Sequence, residues 1–446
     1  MNSKTFSRRR FLGAMLAAGT APLILPGRLW GDTAPSRKLN LAFVGVGGRG
    51  GDNIAGCSDE NIVALCDVDS QRAAGGFNEH PNAKRFTDYR VMLDEMGDSI
   101  DGVVICTPDH THFPIAMASM QAGKHVMVEK PLTQTVWEAR TLQRAARHYG
   151  VITQMANQGH ASTHIRLGKE WFQAGWLGEV TRVEAWNNGP VRRFFGNPQS
   201  DPPPEAHVPA NLDWDLWLGP RAERPFSRAY HPLTWRGWWD FGNGPLGDWS
   251  AHTLDLPFWA LELGGPTSVY AEVGERDLKN YIPPWSEVVW EFPSRGDMPP
   301  VTVRWQDGGR RPEPPAGQDS IGGSGMYMVG TEATLQTGGR PTDGLRISET
   351  EKFATLRQNQ PESTFPRVQD HWVEWINAIK GDGPTPGSNF DYAAPLTQMA
   401  LIGTIAQRVP GKKLLWDEEN GRFTNSDEGN AMLKVPPRDG WAYDVS

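Results

Sequence analysis

The sequence predicts an α/β fold in two parts, an N-terminal doubly wound parallel sheet and a C-terminal α+β domain on an open, mainly antiparallel sheet. From Leu39 to about Met155, short apolar runs alternate with amphipathic stretches, the rhythm of βαβ units. After about Asn157 the apolar runs alternate with period two and follow one another without a helix between each pair. The chain's 446 residues are enough for two domains with a substantial core.

Taken in order, residues 1–36 read as an export signal and linker. Arg8, Arg9 and Arg10 precede Phe11 and Leu12, the pattern of a twin-arginine signal. The apolar stretch that follows is broken by Gly13, Gly19 and Pro22, and a stable span needs roughly 20 apolar residues, so no membrane anchor is expected. The expected partner is the twin-arginine translocase, and the expected location is the periplasm or another extracytoplasmic space.

Residues 37–156 form the predicted parallel-sheet domain. Its strands are LNLAFVG, NIVALCDVD, AKRFTDY, DGVVICT, HVMVEK and VITQM, and a charged, Ala-rich helix spans Thr135–His148 before the turn at Tyr149-Gly150. Residues 157–446 form the second domain, with strands EVTRVEAW, TSVYAEV, SEVVWEF and VTVRW. Asn188–Gly247, rich in Pro, Gly and Trp, reads as a long ordered loop layer near a site, and Gly308–Gly325 as a surface loop. Two helices close the chain, one ending at Gly381 and one over Pro395–Val409.

Charge and cysteine content exclude some functions. The first 34 residues carry a net +4, which leaves −12 on the remainder of a chain whose total is −8. Such a surface lacks the counterion-release drive toward nucleic acid. Cys57, Cys66 and Cys106 are an odd count without framework spacing, which argues against disulfide stapling. Thirteen of the 19 tryptophans lie between Trp171 and Trp305, a density that suits a Trp-rich core or a sugar-binding cleft.

Gly45-Val46-Gly47-Gly48-Arg49-Gly50 matches G-x-G-x-x-G between a predicted strand and a predicted helix. Glycines there permit the tight turn and let the backbone approach a pyrophosphate on the helix N-terminus. Asp67 stands 22 residues after Gly45, where a carboxylate hydrogen-bonds a ribose 2′-hydroxyl and repels a 2′-phosphate. The expected cofactor is therefore NAD rather than NADP, in a Rossmann domain. CTPDHTH follows the fourth strand, and VMVEKPL closes the fifth. Thr107, Pro108, His110, His112, Glu129 and Lys130 thus stand at strand ends where a dinucleotide lies. Asp109, His110 and His112 have metal-like spacing, but their place in such a loop favours the cofactor, and no metal is expected.

A dinucleotide domain with this Glu-Lys-Pro turn, followed by an open-sheet domain, resembles the glucose–fructose oxidoreductase, inositol dehydrogenase and rhizopine-catabolism (Gfo/Idh/MocA) family. The resemblance runs from about Leu39 to Val409 and is specific at GVGGRG, TPDHTH, EKP and WRGWWDFGNGPLGDWSAHTLD. In the last segment Asp248 and His252 are four apart, one turn on one helix face, and Asp255 continues the same predicted helix. By resemblance to the inositol dehydrogenases, Lys130, Asp248 and His252 are catalytic. His252 would exchange a proton with an alcohol, Asp248 would orient His252, and Lys130 would stabilise the alkoxide. Trp235, Arg236, Trp238 and Trp239 are candidates for a sugar platform and an oxygen-binding fork. Asn157 and Gln158, at the domain junction, and Asp255 are further substrate candidates. The run Gly242-Asn-Gly244-Pro-Leu-Gly247 departs from the three glycines common in the family.

The expected activity is hydride transfer between nicotinamide and a carbinol carbon of a sugar, cyclitol or sugar derivative. Export adds a condition, because little free dinucleotide exists outside the cytoplasm. A cofactor folded into the protein and recycled within each turnover satisfies it. Coupled oxidation and reduction of two sugars does this, and so does transient oxidation that labilises a neighbouring C–O bond, as in NAD-dependent glycosidases or lyases. A sugar-binding protein with a remnant cofactor is the non-catalytic alternative. A homo-oligomer, dimer or tetramer, is expected.

Overall fold

Six short apolar runs bounded by turns form β1 Asn40–Val44, β2 Asn61–Cys66, β3 Lys84–Phe86, β4 Gly102–Ile105, β5 His125–Val128 and β6 Thr153–Met155. All neighbours pair parallel, in the order β3-β2-β1-β4-β5-β6. Strands β1, β4 and β5 are buried along almost their whole length, so they read as continuous apolar runs. Strand order reverses between β1 and β4, and a crevice opens beyond the carboxyl ends of these strands. The computed structural model describes residues 37–188, 194–315 and 318–442; the signal read at Arg8–Leu12 lies outside them.

The helix predicted from Thr135 spans Val136–Tyr149 and is closed at both ends. The Thr135 hydroxyl accepts from the Glu138 amide, the Glu138 carboxylate accepts from the Thr135 amide, and Gly150 takes the left-handed conformation at the C-terminus.

The second sheet has nine strands: β7 Val180–Asn187, β8 Ser268–Val273, β9 Ser286–Phe292, β10 Val301–Asp307, β11 Ser324–Gly330, β12 Thr334–Gly338, β13 Leu345–Ile347, β14 Leu414–Asp417 and β15 Arg422–Phe423. Their order is β13-β12-β11-β7-β10-β9-β8-β14-β15, antiparallel except for the β7–β10 pair. Helix Phe390–Arg408 touches both helix Val136–Tyr149 and strands β8 and β9. One apolar core accordingly runs from Ala42 and Val44 through Leu246 to Trp290 and Trp305. Trp186, Trp238, Trp290, Trp305 and Trp375 are fully buried, so packing accounts for these five indoles.

Two helix boundaries differ from the sequence reading. The closing helix starts at Phe390, five residues before Pro395, because the Asn389 side chain caps it by accepting from the Asp391 amide. The segment carrying Asp248 and Asp255 is two helices, Gly244–Thr253 and Asp255–Ala260, broken at Leu254. Pro257 has no N–H to continue the ladder across that point.

Residues 194–243 carry two short helical turns, Trp214–Leu218 and Thr234–Gly237. They build a small aromatic core of their own from Phe195, Trp217, Phe226, Tyr230, Trp238 and Phe241, joined by Tyr281. Tyr230 meets Trp238 edge-on at 5.0 Å, and Trp214 stacks on Trp217 at 4.7 Å.

Candidate active site

Strand β1 ends in the glycine turn, and the turn opens helix Arg49–Gly56. A Cβ on Gly50 would stand 2.0 Å from the Gly45 carbonyl oxygen, and one on Gly45 would stand 2.7 Å from the Cys106 carbonyl. Only glycine lets strand, turn and helix close this tightly. The helix starts at Gly48 without a side-chain cap, which leaves its N-terminus to a ligand.

Asp67, at the end of β2, sits beneath this turn. Its Oδ2 accepts from the amides of Val46 at 2.8 Å and Gly47 at 3.3 Å, and its Oδ1 from the amide of Asp69 at 2.8 Å. Burial raises the carboxyl above its ordinary value, against those three donors. Asp67 therefore shapes the glycine turn as well as facing the groove, a main-chain role that its spacing did not reveal.

The groove is a cavity of about 440 Å³ lined by Gly45, Gly47, Gly48, Arg49, Asp67, Thr107 and Pro108 on one side. Phe194, Trp217, His231, Trp235 and Arg236 of the loop layer line the other. Arg49 Nη2 and Thr107 Oγ1 are buried with no hydrogen-bond partner among the described residues. Buried polar groups in a folded protein are ordinarily satisfied. An uncapped helix N-terminus, a guanidinium nitrogen and a hydroxyl left unpaired along one groove fit the pyrophosphate and polar groups of a dinucleotide.

Glu129 acts beside the groove as a brace. It accepts from Arg49 Nε at 2.9 Å and Asn53 Nδ2 at 2.9 Å, and so fixes the arginine at the helix start. Next to it, the Lys130 ammonium donates to Asp248 Oδ1 at 2.6 Å and to the Asp248 carbonyl at 2.9 Å. Arg236 Nε approaches the same carboxylate oxygen at 3.6 Å, with its guanidinium 4.2 Å over the Trp235 ring. Burial alone would raise the Asp248 carboxyl, but Lys130 and Arg236 outweigh it and draw it down to about 2.

His252 lies on the same helix face as Asp248. Burial, reinforced by the Lys130 and Arg340 charges, pushes its imidazole well below the ordinary range, so the ring is neutral at pH 7. Its Nδ1 has no partner among the described residues. The expected Asp248–His252 hydrogen bond is thus replaced by the Lys130–Asp248–Arg236 cluster, because a cation wins the carboxylate over a neutral ring.

Other expected site residues take structural places. His110 is fully buried, its Nε2–H donating to the Trp217 carbonyl at 2.8 Å, and it packs on Trp217 and Phe241. His112 lies between the Pro131 and Thr107 carbonyls, 2.9 and 2.8 Å from its ring nitrogens, and ties the turns after β5 and β4 together. Neither faces the groove, because each ring is held by main-chain oxygens on the core side. Asp255 is fully buried and holds Asn157, His160 and Tyr392 in one network, while Asn157 also accepts from Ser388. These two carboxylate and amide groups are consumed inside the core and are not placed to meet a substrate. Gln158 opens the short turn Gln158–Ala161 and is partly exposed. Trp239 borders a different groove beside Arg408 and Met432, and not the one that Trp235 lines. Trp238 is core. Among the described residues no three His, Cys, Asp or Glu side chains gather as metal ligands.

The sequence reading passed over Asp69 and Arg340, and weighed Asp109 only for its metal-like spacing beside His110 and His112. Asp69 accepts from His231 Nε2 at 2.8 Å and Asn211 Nδ2 at 2.6 Å, stapling the loop layer to the end of β2. Asp109 accepts from Asn243 Nδ2 at 3.1 Å; burial, with Asp248 adding to it, pushes this carboxyl up to about 7 despite Arg236 and Lys130. Arg340 arrives from the turn before β13, 4.8 Å over the Trp249 ring. Each depends on a contact more than 85 residues away, and no local pattern marks it.

Residues 39–157 match the profile described as "Oxidoreductase family, NAD-binding Rossmann fold", and residues 172–294 match that family's "C-terminal alpha/beta domain". The chain belongs to the Gfo/Idh/MocA oxidoreductase family. Within it, the chain is similar to an inositol 2-dehydrogenase of Rubrobacter xylanophilus, 32% identical over 158 residues, 34% of this chain and 44% of that one. It is also similar to a levoglucosan dehydrogenase of Pseudarthrobacter phenanthrenivorans, 25% identical over 171 residues, 38% and 35% of the two chains. These matches span about a third to a half of the relatives' length. Two solved structures share the Gfo/Idh/MocA fold. The WlbA dehydrogenase of Bordetella pertussis, in complex with NADH and UDP-GlcNAcA, aligns at TM-score 0.59 and 18% identity, over 85% of this chain and 99% of that one. The aldose–aldose oxidoreductase of Caulobacter crescentus aligns at 0.56 and 16%, over 85% and 100%.

Proposed function

We propose that this chain transfers hydride between a retained nicotinamide dinucleotide and a carbinol carbon of a sugar, cyclitol or sugar derivative, and returns the cofactor to its starting state in each turnover. The observation that carries the reading is the Lys130–Asp248–Arg236 cluster with a neutral His252 one helical turn on, next to a groove with unpaired dinucleotide-binding groups. Bound nicotinamide would supply the hydride acceptor and donor. Gly45–Gly50, Arg49 and Thr107 would hold the dinucleotide. His252, neutral at working pH, is in the state that accepts a hydroxyl proton. The Lys130 ammonium, held in place by Asp248, would stabilise the developing alkoxide. Arg236, stacked on Trp235, would bind a second substrate oxygen.

Asp67 supports NAD over NADP, since a 2′-phosphate would meet its carboxylate; Asp67→Ser should relax that choice, measured as the ratio of the two affinities. The twin-arginine pattern at Arg8 and Arg9 supports action outside the cytoplasm, and there a trapped, recycled cofactor has its use. Replacing both arginines by lysine should leave the protein in the cytoplasm, read by fractionation. No helix among the described residues is long and apolar enough to cross a membrane. Similarity to a glycosyl hydrolase family 109 protein of Solibacter usitatus, 27% identical over 207 residues, favours transient oxidation with C–O cleavage as the second reading.

Denaturing the purified protein and analysing the released dinucleotide tests the cofactor assignment. Screening free sugars and glycosides without added cofactor then tests the chemistry. Neither NAD nor NADP in the released fraction, together with no binding of either, would overturn the proposal.

A further inference from the structure

The last described residues follow helix Asp427–Ala431 and lie beyond both family profiles. They do not hang free. The Leu433 carbonyl accepts from the Trp137 amide at 3.0 Å. Further along, Arg438 makes a set of bonds to one turn of the loop layer: Nε to the Gly219 carbonyl at 2.7 Å, Nη1 to Asp215 Oδ1 at 2.6 Å, and Nη2 to the Asp215 carbonyl at 2.8 Å. Its own amide donates to the Pro220 carbonyl at 3.0 Å. A guanidinium satisfied by several oxygens at once fixes the chain more firmly than a single surface ion pair does.

That anchor sets the position of Trp441. Its amide donates back to the Arg438 carbonyl at 3.1 Å, and the residue is 8% exposed. The Arg90 guanidinium lies 4.4 Å over the indole, and the Tyr89 ring is 6.4 Å away. Trp441, with Thr87, Asp88 and Tyr89, lines the same cavity as Gly45–Arg49 and Asp67. Those three residues follow β3, next to the end of β2 that carries Asp67, and this half of a doubly wound sheet receives the adenosine of a dinucleotide. An aromatic wall at this end has a flat π-surface for adenine.

We propose that residues 433–442 are a clasp over the adenosine half of the bound dinucleotide, with Trp441 as a wall of the adenine site and Arg438 as the anchor that holds it shut. The clasp rests on the dinucleotide reading of the groove and deepens it. Glycine turn and helix N-terminus grip the pyrophosphate from below, and the chain's own C-terminal segment covers the adenosine from the side, which slows its escape.

Exchange of bound, isotopically labelled NAD against excess unlabelled NAD tests this in the full chain, in wild type and in Trp441→Ala, Trp441→Phe and Arg438→Ala. Label loss should be about tenfold faster in Trp441→Ala, the scale of a lost aromatic–base contact, and faster in Arg438→Ala as well. Trp441→Phe, which keeps an aromatic face, should stay within about twofold of wild type. Thermal unfolding of the dinucleotide-free forms checks that the folds are unchanged. Exchange at the wild-type rate in both alanine variants would overturn the clasp, as would Trp441→Phe losing label as fast as Trp441→Ala. A wild-type protein that binds neither NAD nor NADP would overturn the dinucleotide reading itself, and the clasp with it.

Discussion

The two walls of the groove are built by different physics. The wall formed by β1, the glycine turn and the end of β2 is main chain: parallel ladders, amide donors aimed at Asp67, and glycines where a Cβ would strike a carbonyl. The opposite wall, residues 194–243, has almost no ladder. Packed aromatic rings hold its interior, and a few long-range polar staples hold it to the sheet: His231 to Asp69, Asn211 to Asp69, the Trp217 carbonyl to His110, and Asn243 to Asp109. A wall of main chain tolerates side-chain change but not added volume. A wall of side chains fails one staple at a time.

The proposed chemistry sits where the walls meet, and the largest effects are expected there. Lys130→Ala removes the cation that neutralises the part-buried Asp248, and His252→Ala removes the proposed proton acceptor. Each should lower turnover by about 10²–10⁴ while dinucleotide stays bound, measured as steady-state rate against cofactor content. Rates near wild type would remove Lys130 and His252 from the chemistry.

On the main-chain wall, Gly50→Ala forces its methyl against the Gly45 carbonyl. We expect a loss of about 1–3 kcal/mol in urea unfolding and much weaker dinucleotide binding. An unchanged midpoint with normal affinity would show that the turn has slack.

On the side-chain wall, Asp69→Ala leaves the His231 and Asn211 donors without their acceptor. It should cost about 1–3 kcal/mol, with hydrogen exchange rising in residues 194–243 and not in β1–β6. Uniform exchange across both walls would contradict the division.

The smallest effect is a pH signature. Asp109 titrates at about 7 in the folded protein against an ordinary 3.8. Between those values the folded state binds the proton more tightly than the unfolded chain, so the stability this group contributes falls as pH rises from about 4 to 7 and is level above. Asp109→Asn should therefore gain on wild type across that window and hold a constant advantage beyond it, read from urea midpoints at several pH values. Parallel midpoints would show that Asp109 is not desolvated at this junction.

The same contrast explains what the sequence discloses. Main-chain features are local: the glycine run, the buried strands around it, and the Thr135–Glu138 cap lie within a few residues of one another, and all are visible in the linear pattern. Strands β12–β15 are not, having five residues or fewer, and β11, Ser324–Gly330, is masked by the glycines near its two ends. Lys130, Asp248 and His252 were singled out through resemblance, but not the partner choice, because whether Asp248 meets His252 or Lys130 depends on a contact 118 residues apart. His110, Asn157 and Asp255 look reactive by type and become structural once their buried partners are known. Asp69 looks incidental and proves to be the staple.

The most direct test of the account is the number of turnovers completed per bound dinucleotide when purified protein is given a sugar substrate in cofactor-free buffer, with nicotinamide absorbance followed throughout. The account predicts many turnovers, with reduced nicotinamide appearing only transiently. One equivalent of product, a cofactor left fully reduced, and rescue only by continuous addition of oxidised NAD would contradict it.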